Sequence, residues 1–156
     1  MNWDAIGAAG EATSALAVLI TLVYLAIQVR AYKQQAIISS IQHINDSLNS
    51  FGVNIAASES LASVVRRGRE SYLTLALDEQ IRFEQIYGVI SNNLESWHFQ
   101  INRTMAGGLR DEQLRNVREN ILMYFAFPGA VEFWRRYAVM FNPDFRKLFE
   151  QTVNVT

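Results

Sequence analysis

Between Ala5 and Val29 the hydropathy of the chain barely changes sign. Those 25 residues hold one charge, Glu11. As a helix they reach about 37 Å, enough to cross a hydrocarbon core of about 30 Å with some tilt. Trp3 and Tyr24 fall near the ends, where amphipathic rings anchor at the interface. A buried core helix is usually shorter and has one apolar face rather than an apolar circumference. A secretory signal opens with basic residues and closes on a small-x-small cleavage site. Here the opening is Asn2, Trp3, Asp4, and no such site follows. A helix lying in the plane of the membrane needs a strongly charged face, which is missing. The pattern therefore predicts a transmembrane helix.

Polar and tiny residues within this span are not scattered. Gly7, Glu11, Ser14, Val18, Thr21, Leu25 and Gln28 step by four and three, which keeps them on one face, with Gly10 and Ala17 on its flank. Helices in lipid associate through close backbone approach at small residues and through interhelical hydrogen bonds. A carboxylate in hydrocarbon costs on the order of 3 kcal/mol, so it faces other helices or water. One span has no internal partner for Glu11. The stripe of Gly7, Gly10, Glu11, Ser14, Thr21 and Gln28 is thus expected to pack against copies of the same chain, or to line a pore between them. The span of a different membrane protein is the alternative partner. The third reading leaves Glu11 at the outer interface among headgroups.

Past the span the three-four step continues as Tyr32, Gln35, Ser39, Gln42 and Asp46, mostly polar, with His43 adjacent. The opposite side reads Ile37, Ile41, Ile44, Leu48, Phe51 and Ile55. This predicts one helix running on from the membrane, with its Ile seam buried in a folded domain. The polar side reads equally as a solvated outer face.

The remainder is predicted to be helical throughout. A short helix is expected from about Glu59 to Tyr72, capped by Ser58 or Ser60. A longer one runs from about Asp78 to Ala106, with Phe83, Ile86, Ile90, Leu94, Trp97, Ile101 and Met105 on one face and Gly107-Gly108 ending it. Asp111 is expected to cap the next helix, which runs to about Phe125 before Pro128-Gly129. Another places Val131, Trp134, Ala138 and Phe141 inward. Asn142-Pro143 starts the last, through Phe149. The expected fold is all-α: a transmembrane anchor over residues 1–30 continuing into a helical bundle over residues 31–156.

Charge adds an orientation. Arg30 is the first basic residue and Lys33 the next, both just after the span. The positive-inside rule places the C-terminal side in the cytoplasm and the N-terminus outside, with Trp3, Arg30 and Lys33 as interface anchors. The whole chain carries 14 basic and 15 acidic residues, so no net field attracts nucleic acid, and no nucleic-acid partner is expected. Lipid and other membrane chains are the expected partners. With no cysteine, disulfides, thiol catalysis and cysteine-zinc sites are excluded.

Chemistry is sparse. Only His43 and His98 are available as imidazoles, and neither a phosphate-cradling Gly-rich loop nor a metalloprotease or hydrolase motif occurs. Glu95 and His98 have the ExxH spacing of di-iron bundles, but no second ExxH exists. A carboxylate–imidazole contact within one helix is the expected reading. Glu84, Glu95 and Glu119 are not brought together by spacing. Arg66, Arg67 and Arg69 form the densest basic cluster, read as a solvated, ion-paired helix face rather than a headgroup site. Arg135-Arg136 reads the same way. Neither a cofactor, a metal nor an enzymatic activity is expected.

Trp3, Ile6-Gly7, Gly10-Glu11, Tyr24-Leu25-Ala26 and Gln28-Val29-Arg30 resemble the N-terminal pattern of a large family of uncharacterised bacterial single-span membrane proteins. Pro128-Gly129, Trp134 and Phe141 to Arg146 resemble that family's C-terminal pattern. The resemblance implies a membrane-anchored helical cytoplasmic domain in the bacterial inner membrane, with no assigned reaction. The layout is also similar to that of a CRISPR-associated accessory membrane protein, which forms a ring-shaped pore from one span plus a helical domain. That protein has been linked to ribonucleases with an Arg-x4–6-His motif. Neither His43 nor His98 here has an arginine at that spacing.

Overall fold

The computed structural model describes the backbone of residues 3–154 and the side chains of Glu11 and of residues 14–154. The side chains of Trp3, Gly7 and Gly10 therefore lie outside the described residues. Every regular element among the described residues is helical, and no strand occurs. The helices are α1 (Trp3–Ala56), α2 (Glu59–Glu70), α3 (Leu77–Thr104), α4 (Gly107–Phe125), α5 (Pro128–Tyr137) and α6 (Pro143–Val153). Single 3-10 turns lie at Tyr72–Thr74 and Ala138–Met140. The chain divides into two compact units, residues 1–40 and residues 41–156.

Helix α1 runs uninterrupted through Gly52 to Ala56. Exposed and helical, Gly52 costs the helix about 1 kcal/mol relative to alanine, too little to stop it while Ile44 and Leu48 bury beside it. The Ile seam behaves as its spacing predicts within residues 41–56. Ile44 and Leu48 are buried, and Ile41, Phe51 and Ile55 are half-buried. Gln42, His43 and Asp46, on the other side, are exposed. Asn93 of α3 donates from Nδ2 to Ser47 Oγ at 2.9 Å and ties this stretch to the bundle.

Helix α3 is the spine of the second unit. All seven residues of its predicted face, Phe83 through Met105, are buried. Around it an aromatic core is built from α4, α5 and α6. Trp134 lies between two parallel rings, Phe149 at 3.6 Å and Phe141 at 5.1 Å between centroids, and edge-on to Phe125 at 6.4 Å. Phe83 stacks on Tyr87 at 4.2 Å. Such pairs contribute roughly 0.5–1.5 kcal/mol each beyond their burial. Val131 and Ala138, expected inward beside Trp134 and Phe141, are only half-buried.

The ends of the helices differ from the periodic reading in places. Ser58 caps α2, its Oγ accepting from Leu61 N, but α2 stops at Glu70 and Tyr72 sits in the 3-10 turn. Gly107-Gly108 do not end α3 with Asp111 as the next cap. Helix α3 closes at Met105, and Gly107, at φ +60°, is already the first residue of α4. A glycine takes that left-handed conformation without a Cβ penalty, so two residues suffice for the corner. Asn142 caps α6 through Asp144 N with Pro143 following, as predicted, and α6 continues beyond Phe149 to Val153.

At one crossing two backbones meet without intervening side chains. A Cβ on Gly129, at the start of α5, would overlap the carbonyl oxygen of Gly68 in α2 and crowd Tyr72 N at 2.7 Å. By contrast, Gly88 in α3 has open space where a Cβ would go. Gly129→Ala is expected to lower unfolding free energy by about 3 kcal/mol, because backbone cannot rotate away as a side chain can. Gly88→Ala is expected to raise it by up to about 1 kcal/mol. Thermal unfolding of both variants, followed by circular dichroism, checks the pair.

Candidate functional site: the uncovered apolar surface of α1

Among the described residues the first unit has no buried side chain. Nine large aliphatic side chains, Leu16, Val18, Leu19, Ile20, Leu22, Val23, Leu25, Ile27 and Val29, are each 48–62% exposed. Successive residues advance about 100° around a helix, so these nine surround α1. The most apolar stretch of the helix has a mean hydropathy of 1.8, and none of it is buried. It is long and apolar enough to cross a membrane. Isolated exposed aliphatics are ordinary on soluble proteins, whereas a contiguous apolar circumference marks an interaction surface.

The described residues of the polar stripe fall on this same helix. Thr21 donates from Oγ1 to the carbonyl of Ala17 at 2.8 Å, and Gln28 donates from Nε2 to Tyr24 Oη at 2.8 Å. Both bonds stay within α1, so these two side chains meet part of their hydrogen-bonding need without a neighbour. Glu11 is exposed and makes no hydrogen bond or ion pair among the described residues. Ser14 is exposed on the same face. Arg30 and Lys33, just past the apolar stretch, are exposed.

The second unit holds the titratable chemistry, and its groupings are not those that sequence spacing suggests. Glu95 and His98 do not pair. Glu95 Oε1 accepts from the backbone N of Asn142 at 2.6 Å, while His98 Nε2 meets Asn102 Nδ2 at 2.9 Å. Nor are the arginines of α2 uniformly solvated. Arg66 makes an exposed contact with Glu70 at 3.7 Å. Arg67 grips Glu79 with two bonds, at 2.9 and 2.5 Å, and Glu79 also accepts from Ala76 N at 3.3 Å, so one carboxylate joins α2 to the start of α3. Arg69 donates to Tyr87 Oη at 3.2 Å and lies 4.4 Å from the centre of the Phe127 ring. Arg135 and Arg136 are exposed.

Glu84 accepts a short hydrogen bond from the Tyr72 hydroxyl, and the Tyr137 hydroxyl shares the same carboxylate. On α5, Glu132 accepts from Ser71 Oγ at 3.2 Å and from Leu73 N at 3.2 Å. These acids fasten the 3-10 turn at Tyr72–Thr74 against α3 and α5. Glu119 pairs with Arg115, across one turn of α4, at 4.0 Å. Among the described residues no three histidine, aspartate or glutamate side chains are grouped to hold a metal ion. Compared with known proteins, the chain matches no protein-family model, no curated protein and no solved structure.

The tyrosine cluster has a measurable consequence. Burial, then the hydrogen bond to Glu84, pushes the Tyr72 phenol far above its ordinary 10.0, and burial raises Tyr87 and Tyr137 as well. The folded chain therefore keeps protons that the unfolded chain releases near pH 10. Stability from this source is complete below pH 10 and is lost as pH rises toward the folded values. Alkaline titration of phenolate absorbance is expected to show a delayed class of tyrosines that reverts on unfolding. Glu84→Gln is expected to bring part of that class to lower pH.

Proposed function

We propose that the protein is a single-span protein of the bacterial inner membrane that assembles with copies of itself. One observation carries the reading: the apolar circumference of α1 that no other described residue covers. On an insertion scale the nine aliphatics contribute roughly 3–5 kcal/mol in favour of lipid. Glu11, at about 3 kcal/mol against, would cancel most of that from the bilayer centre. The carboxylate therefore has to meet a partner or an aqueous path.

Continuity of α1 favours an anchor over a signal sequence. The helix that carries Leu16–Val29 also carries Ile44 and Leu48, which are buried in the second unit. Cleavage after the apolar stretch would cut through regular helix. The exposed Arg30 and Lys33 support a cytoplasmic location for the second unit and an outside location for the N-terminus. The resemblance of Trp3, Gly10-Glu11 and Gln28-Val29-Arg30 to the single-span family supports the same layout.

Assembly proceeds through the face that carries Gly7, Gly10, Glu11 and Ser14. Small residues let neighbouring backbones approach, and the carboxylates converge on an interior shared by the copies, which forms a pore if it admits water. Because Thr21 and Gln28 bond within their own helix, Glu11 is the residue with most to gain from a neighbour. The second unit, with its acids tied to turns and helix ends, acts as a folded cytoplasmic body rather than as an enzyme.

Mass measurement in a gentle detergent tests this. The expected particle is an integer multiple of 17.8 kDa after subtraction of detergent. Glu11→Ala is expected to dissociate at roughly tenfold higher protein concentration, the weight of one interhelical hydrogen bond in lipid. A particle of one protomer at every detergent ratio, or an unchanged Glu11→Ala particle, overturns the stripe as an assembly face. A foreign chain in fixed proportion would instead make the protein an accessory subunit of a larger complex.

A further inference from the structure

His98, Asn102 and Arg110 form a chain of hydrogen bonds with only one workable arrangement of protons. Arg110 donates from Nη2 to Asn102 Oδ1 at 2.9 Å. A guanidinium has donors only, so it fixes which way the asparagine amide points. The Asn102 NH2 group then faces His98 Nε2, 2.9 Å away, and that nitrogen has to accept. An imidazole accepting at Nε2 is neutral and carries its proton on Nδ1.

A protonated His98 has donors at both nitrogens and cannot accept from Asn102. If the amide turned over to offer Oδ1 to the imidazolium, its NH2 would meet the Arg110 guanidinium, donor against donor. One of the two bonds is lost either way. The lost bond lies at a thinly supported corner. Only Met105 and Ala106 separate α3 from α4, and the methyl of Ala106 has no acceptor with which to cap α4. Arg110, in the first turns of α4, reaches back to α3 across that corner.

Protons and water can reach the site. His98 borders an open cleft of about 620 Å³ between α3 and the start of α6, lined also by Glu95, Phe99, Asn142 and Asp144. The charged groups facing the imidazole are Asp144 of α6, Arg110 of α4 and Glu95 of α3 itself. The two carboxylates favour its protonation, and the guanidinium opposes it.

We propose that the His98–Asn102–Arg110 chain is a pH-sensitive clasp that holds the α3–α4 corner closed while His98 is neutral and releases it on acidification. Burial places the imidazole below its ordinary 6.5, ahead of the opposing pull of Asp144. The folded chain therefore takes up its proton later than the unfolded chain. Stability from this source is complete above pH 6.5 and is lost as pH falls through the folded value. The clasp is a property of the second unit and does not depend on how α1 meets a membrane.

The test uses the full chain in detergent with His43→Asn, so that His98 is the only imidazole. Nitrogen NMR at neutral pH is expected to show the proton on Nδ1. Amide hydrogen exchange at residues 102–110 is expected to quicken roughly fivefold between about pH 7.5 and a pH below the folded value of His98, after correction for intrinsic rates, as one hydrogen bond is lost. His98→Gln puts a non-titrating amide oxygen near the Nε2 position, and is expected to keep the corner closed at both pH values. A proton on Nε2 at neutral pH, corner exchange that does not change with pH, or an undiminished pH response in His98→Gln each overturns the proposal.

Discussion

The constraint that sets this molecule apart is an apolar helix that no other described residue covers. Folding normally removes aliphatic side chains from water, yet nine of them encircle α1 with about half or more of their surface exposed. At roughly 25 cal/mol per Å² of apolar surface, a ring of such residues is a strong drive toward lipid or toward another protein. The second unit bears no comparable burden. It closes on the Trp134 stack, buries the whole inward face of α3 and fastens its turns with carboxylates. The second unit has a core of its own, and among the described residues the apolar stretch of α1 has none.

The placement of polar groups follows that division. In α1 they are few, and Thr21 and Gln28 each make a hydrogen bond inside the helix. Glu11 stands apart, being ionisable and without a partner among the described residues. In the second unit, acidic side chains join elements distant in sequence: Glu79 with Arg67, Glu84 with Tyr72, Glu95 with Asn142, Glu132 with Ser71. These acids occupy positions where backbone donors or tyrosine hydroxyls need acceptors.

Features that depend on local periodicity were legible in the sequence. The inward face of α3, the Ile44–Leu48 seam, the Ser58 and Asn142 caps and the length of the apolar stretch all follow from spacing within one helix. What depends on the meeting of two helices was not. The Gly68–Gly129 crossing looks like two ordinary glycines until α2 and α5 are placed. The Glu95–His98 spacing suggested a contact, but both side chains found partners created by the fold, Asn142 from α6 and an Asn102 held by Arg110. Gly107 misled because glycine ends one helix and opens another equally well, and only its left-handed φ distinguishes the cases. For the α1 surface, spacing located the stripe, and the structure added the absence of any cover from within the described chain.

The natural absence of cysteine permits a direct measurement of where that surface resides. Single cysteines placed in turn from Leu16 to Val29, spin-labelled in protein reconstituted into bilayers, report collision with oxygen and with a water-soluble paramagnetic reagent. The account predicts oxygen access that rises toward the middle of the segment and exclusion of the aqueous reagent on the aliphatic faces. Uniform access of the aqueous reagent along the segment would contradict it, because α1 would then lie in water.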